Sequence, residues 1–135
     1  MVRLEAWKMK TIKGVLIDVA NEKAGVVEIE ESLAGYYDAI QCCCITIVSR
    51  KIGGHRFDIV ADDEGLLYEN PKISAINDMG EPMMVGNLFV VKSTVDGDLR
   101  SLTDDECDHI MWFVEMGYTK QYPNGYPMLT QVEYY

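Results

Sequence analysis

Apolar and polar positions alternate in short runs along most of this chain, and the spacing becomes clearly helical in two places. Residues 11–20, TIKGVLIDVA, carry the β-branched Ile12, Val15, Ile17 and Val19 and are bounded by Asn21, which predicts a first strand. NEKAG (21–25) is turn chemistry, and VVEIE (26–30) alternates apolar and acidic residues like a half-buried strand. The two runs predict a hairpin. In residues 31–40 Leu33, Tyr36, Tyr37 and Ile40 recur at helical spacing behind a capping Ser32, which predicts one short helix despite Gly35.

Residues 42–50 return to strand, and KIGGH (51–55) turns into another strand over 56–63. DDEG (62–65) is a turn. Residues 66–78 contain Pro71, which disfavours helix before it, and predict an irregular loop with a short helix from Lys72 to Ile76. MGEP (79–82) is a turn. Residues 83–93 predict one apolar strand interrupted at Gly86.

The second helical stretch, 101–117, has capping-box spacing at Thr103 and Glu106, with Asp104 and Asp105 in the first turn, where the helix dipole favours them. Cys107, Ile110, Met111 and Val114 share one face, and Gly117 is positioned to end the helix. The remaining tail is rich in tyrosine, with PNGY as a turn between two short extended pieces. The pattern predicts a single α+β domain. It is mainly antiparallel sheet, with a short helix after the first hairpin and a C-terminal amphipathic helix. The expected division is an extension over 1–8, a domain over 9–117 and a Tyr-rich tail over 118–135, packed on the domain or at an interface.

Length and composition suit one globular core: 135 residues, 48% apolar and 25% charged. A net charge of −10 repels phosphate backbones, so direct nucleic-acid binding is not expected. The same charge suits a partner with a basic surface, or serves only to keep a small protein soluble. No apolar segment has the length of a membrane span, and the first ten residues lack the apolar core of a secretory signal. A cytoplasmic location follows as the expectation.

QCCC (41–44) raises the question of thiol chemistry. Three adjacent residues on a strand alternate faces, so Cys42, Cys43 and Cys44 do not converge on one tetrahedral ion, and zinc-type paired spacing is absent. The preferred reading is cysteine as a small apolar filler of the core. No phosphate-binding glycine loop or nucleophile elbow occurs, and no metal site or cofactor is expected. Asp62, Asp63 and Glu64 read as a solvated turn.

Residues 61–91 followed by SLTDDE (101–106) resemble the domain of unknown function 3846, a family encoded widely in phages, plasmids and other mobile elements. The matching features are Glu64–Gly65, Asn70–Pro71–Lys72, Ala75, Gly80–Glu81, Gly86, Phe89 and Thr103. Met9–Lys10 matches the usual start, making the first eight residues an extension. The family commonly has arginine where this chain has Lys72, and a shorter link between its first helix and the next strand. The resemblance implies an α+β domain of mobile-element origin and brings no catalytic residues with it. The tail falls outside it.

The first functional expectation is a non-enzymatic protein that inhibits a host defence system of the CRISPR or restriction type by occupying a basic surface. Asp104, Asp105 and Asp108 would face the partner, with Tyr118, Tyr122 and Tyr126 as aromatic anchors. The alternative is a protein that binds or sequesters a nucleotide-like signal, using Asn70, Lys72, Gly86 and Asn87; its bland counterpart has Asn70 bonding its own turn and Lys72 solvated. An enzyme acting through Cys42, Cys44 or His109 ranks last, because no nucleophile is paired with a base. A homodimer through an edge strand or the tail stays open.

Overall fold

A computed structural model describes residues 10–65 and 70–135. The first hairpin forms as its pattern predicts: β1 (Thr11–Asp18) returns as β2 (Lys23–Glu30), in register from Thr11 opposite Glu30 to Asp18 opposite Lys23. Asp18 holds the turn by accepting hydrogen bonds from Asn21 N at 3.1 Å and Asn21 Nδ2 at 2.8 Å. The short helix is α1 (Leu33–Ile40), capped by Ser32, whose Oγ accepts from Gly35 N at 3.0 Å. Gly35 is required there, because a Cβ would run into the Glu30 carbonyl.

The chain continues through β3 (Ile45–Ile52), β4 (His55–Asp62), β5 (Ile73–Ile76), β6 (Pro82–Val85), β7 (Leu88–Ser93) and β8 (Leu99–Arg100). It ends with α2 (Asp104–Trp112), β9 (Val114–Gly117), β10 (Tyr126–Leu129) and β11 (Val132–Tyr134). The larger sheet has the order β11-β3-β4-β7-β1-β2, with β8 pairing β7; the smaller has the order β6-β5-β10-β9. Among the described residues every pairing is antiparallel except β5 with β10.

Alternation along β1 feeds two cores. Val15 and Ile17 face one that also contains Ala75 and Leu129 of the smaller sheet and Ile110 of α2, whereas Ile12 faces a second, smaller one with Tyr36 and Ile40 of α1. Gly14 sits where β1 crosses β7; a Cβ there would strike the Val90 carbonyl and the Phe89 ring.

Four sequence-based expectations change. Lys72 to Ile76 contains no helix: residues 73–76 are β5, because β6 on one side and β10 on the other satisfy its backbone. Residues 83–93 are two strands in different sheets, and Gly86, at φ +76°, is the crossing point. The last helix stops at Trp112, well short of Gly117. Thr130 caps its end, donating to the Phe113 carbonyl from its backbone N and its Oγ1, both at 2.8 Å, and β9 follows. Cys42–Cys44 lie in the bend between α1 and β3, not on a strand.

The tail contributes β10 to the smaller sheet and β11 to the larger, and buries Tyr126, Met128, Leu129 and Val132. The extension over residues 1–8 and the part of the predicted loop at 66–69 lie outside the described residues.

Candidate functional site

The residues predicted to hold a small ligand do converge. Asn70, Lys72, Gly86 and Asn87 line one cleft of about 240 Å³, with Gln41 and Asp62 beside them. Two of their polar groups are engaged by the fold. Asn87 is buried, and its Oδ1 accepts from Ala20 N at 3.2 Å. Lys72 is not a solvated cation: its Nζ donates to the Val19 carbonyl at 3.0 Å, pairs with Glu22 at 3.4 Å, and lies 4.4 Å from the Tyr122 ring centroid and 5.2 Å from that of Tyr126. It ties the first hairpin turn to the tail.

The predicted partner-binding residues separate. Tyr126 is not available to a partner. It is 1% exposed, its hydroxyl donates to the Ile73 carbonyl at 2.8 Å, and its ring meets Tyr122 edge-on. Burial pushes its phenol pKa up. Tyr122 is half-buried against Lys72. Tyr118 is exposed beside β9, its ring lying over Gly125.

Asp104, Asp105 and Asp108 are exposed on α2. Asp104 shares its charge with Lys13 at 2.6 Å. That hydrogen bond lowers the Asp104 pKa and raises the Lys13 pKa. Asp108 stands one turn before Trp112, and Trp112 is 79% exposed. Past the helix, β9 is an outer strand of its sheet, with Met116 exposed and Tyr118 just beyond. Trp112 and Met116 were not singled out from the sequence. The available signal was the helical wheel: Trp112 falls off the face shared by Cys107, Ile110 and Met111, on the side of the aspartates.

Of the three adjacent cysteines, only Cys42 packs on a core, the smaller one; Cys43 and Cys44 fill none. Cys43 and Cys44 are exposed and Cys42 is half-buried, whereas Cys107 is buried. The thiol pKa values of Cys42 and Cys44 are raised, first by local desolvation and then by neighbouring carboxylates, Asp62 near Cys42 and Glu64 near Cys44. Both thiols therefore favour the protonated, weakly nucleophilic form.

His109 lies against His55, with ring centroids 4.5 Å apart, and is stacked on Phe57. Its Nε2 donates to the Ile52 carbonyl at 2.8 Å, which pins the imidazole between α2 and the β3–β4 turn. Among the described residues no group of three or more His, Cys, Asp or Glu side chains is arranged to hold a metal ion, and no helix is long and apolar enough to cross a membrane.

A family model described as domain of unknown function (DUF3846) matches residues 12–116. No curated protein and no solved structure matches the chain.

Proposed function

The chain belongs to the DUF3846 family, and from that premise we propose that this member is a non-enzymatic protein that docks on a basic partner through α2 and β9. The observation that carries this reading is Trp112, 79% exposed at the end of a helix whose outward face bears Asp105 and Asp108, with Met116 and Tyr118 continuing beyond it. Exposed tryptophan and tyrosine supply rigid contact area that gains free energy when covered. The aspartates supply the charge that steers a cationic surface into register. A net charge of −10 extends the same field over the whole molecule.

In the mobile-element setting that the sequence resemblance implies, the partner is a defence effector of the CRISPR or restriction type, occupied at its basic nucleic-acid groove. The alternative, a protein that sequesters a nucleotide-like signal at Asn70, Lys72, Gly86 and Asn87, has weaker support, because Lys72 and Asn87 are bonded within the chain.

The test is affinity capture of host effectors at low and moderate salt, with Trp112→Ala and Asp105→Lys/Asp108→Lys as comparators. A captured basic nuclease whose DNA cleavage is inhibited, which elutes as salt rises and which both variants fail to hold, is the expected result. Equal capture by the variants, or salt-insensitive capture, would overturn the assignment of the surface.

A further inference from the structure

A cavity of about 460 Å³ opens at the mouth between the two sheets, on the opposite side of β6 from its partner β5. One wall is the face of β3 and β4 that carries Thr46 and Arg50. The other is the edge strand β6, with Met83, Met84 and Val85. Thr46 and Arg50 are an even number of residues apart on β3, as is Val48 between them, which packs against the larger core, so all three side chains turn toward the smaller sheet.

Arg50 is an unusual constituent of such a wall. Its Nη1 donates to the adjacent Ser49 carbonyl at 2.8 Å, and its guanidinium carbon lies 4.9 Å from the Tyr134 ring centroid. Its Nε–H is buried and has no hydrogen-bond partner among the described residues. Arg56 has the same unpartnered Nε, but Arg56 and Arg100 each have a carboxylate partner, Asp58 and Glu106 respectively, whereas Arg50 has none among the described residues. A guanidinium that lines a cavity without a carboxylate partner among the described residues leaves donors for a ligand oxygen.

We propose that this cavity binds a small amphipathic monocarboxylate, with its carboxylate on Arg50 and its apolar body against Met83, Met84 and Val85. The planar guanidinium matches a carboxylate in shape and charge. Methionine side chains adapt to apolar bodies of varied shape, and the volume falls within the range of about 300–1,000 Å³ typical of small-molecule sites. Asp62 and Asp63 also line the cavity, at the end of β4 remote from Arg50 across the β3–β4 pair. Their charges repel a second anionic group, which selects one carboxylate over a phosphate-rich nucleotide.

The experiment is calorimetric titration of the full chain with decanoate, and with decanol and ATP as comparators. Decanoate is expected to bind, with decanol weaker by at least about tenfold for want of the charge-assisted bond, and with ATP not bound. Arg50→Gln should weaken decanoate by a similar factor. Thr46→Trp, which fills the cavity from β3 and leaves Arg50 in place, should abolish binding. Urea denaturation establishes that each variant folds; should Arg50→Gln fail to fold, Thr46→Trp and the decanol comparison decide. Absence of decanoate binding at millimolar concentration, equal binding of decanol, tighter binding of ATP, or unchanged binding by a folded variant would overturn the proposal.

Discussion

Neutralising Glu106 should make the stability of this protein much less dependent on acid. Arg100 donates from Nη1 and Nη2 to the two Glu106 carboxylate oxygens, both at 3.0 Å, and Thr103 N donates to Oε1 at 2.8 Å. Lys92 Nζ stands 3.7 Å from Oε2. Thr103 Oγ1 in turn accepts from Glu106 N at 3.2 Å, completing the capping box that starts α2. The Arg100 hydrogen bond, assisted by those of Thr103 and opposed by burial, pushes the carboxyl from its ordinary 4.5 down to about 2. The Glu106 side chain is 20% exposed and that of Arg100 37%, so solvent screens part of the interaction.

A carboxyl whose pKa is lowered by folding contributes stability that is fully present above its unfolded value and is lost as pH falls toward its folded value. The contribution is therefore complete above about pH 5 and is lost between about pH 4.5 and 2; the drop in pKa corresponds to at most about 3 kcal/mol. Glu106→Gln keeps the shape and one acceptor but removes the charge. With that screening it should cost about 1–3 kcal/mol near neutral pH. Urea denaturation of both proteins from about pH 7 to pH 3 measures the gap, which should stay constant down to about pH 5 and narrow below it. Two curves that stay parallel over that range would show that the Glu106 charge is not the source, and the reasoning would fail.

Lys72→Ala should lower stability by about 1–3 kcal/mol in urea denaturation, because it removes a hydrogen bond to Val19 and two ring contacts that clasp the tail to the first hairpin. A change within error would mean that this clasp is not stabilising. Brief treatment of the folded protein with a thiol reagent should label Cys43 and Cys44, with Cys107 reacting only after denaturation, as read by mass spectrometry. The Cys44 labelling rate should rise with pH beyond the ordinary thiol range, because its pKa is raised. Rapid labelling of Cys107 in the native state would contradict its burial.

What the sequence determined by itself is what depends on near neighbours. The β1–β2 hairpin needs only alternation and a polar turn, α1 only a cap and helical spacing, and the start of α2 only Thr103 and Glu106 three residues apart. The four residues named for the cleft were also legible, since Asn70–Pro71–Lys72 and Gly86–Asn87 mark chain reversals that meet where β5 and β7 begin. Tertiary structure decided the rest, because the deciding partners are distant in sequence. Residues 73–76 are a strand because β10 arrives some fifty residues later to pair with them. The helix ends at Trp112 because Thr130 takes the Phe113 carbonyl. Tyr126 becomes core while Tyr118 stays at the surface, although both belong to the same tyrosine-rich tail. Local pattern records which face of an element is apolar; which element covers that face, and which side chains are left for a partner, depends on long-range contacts that no short window contains.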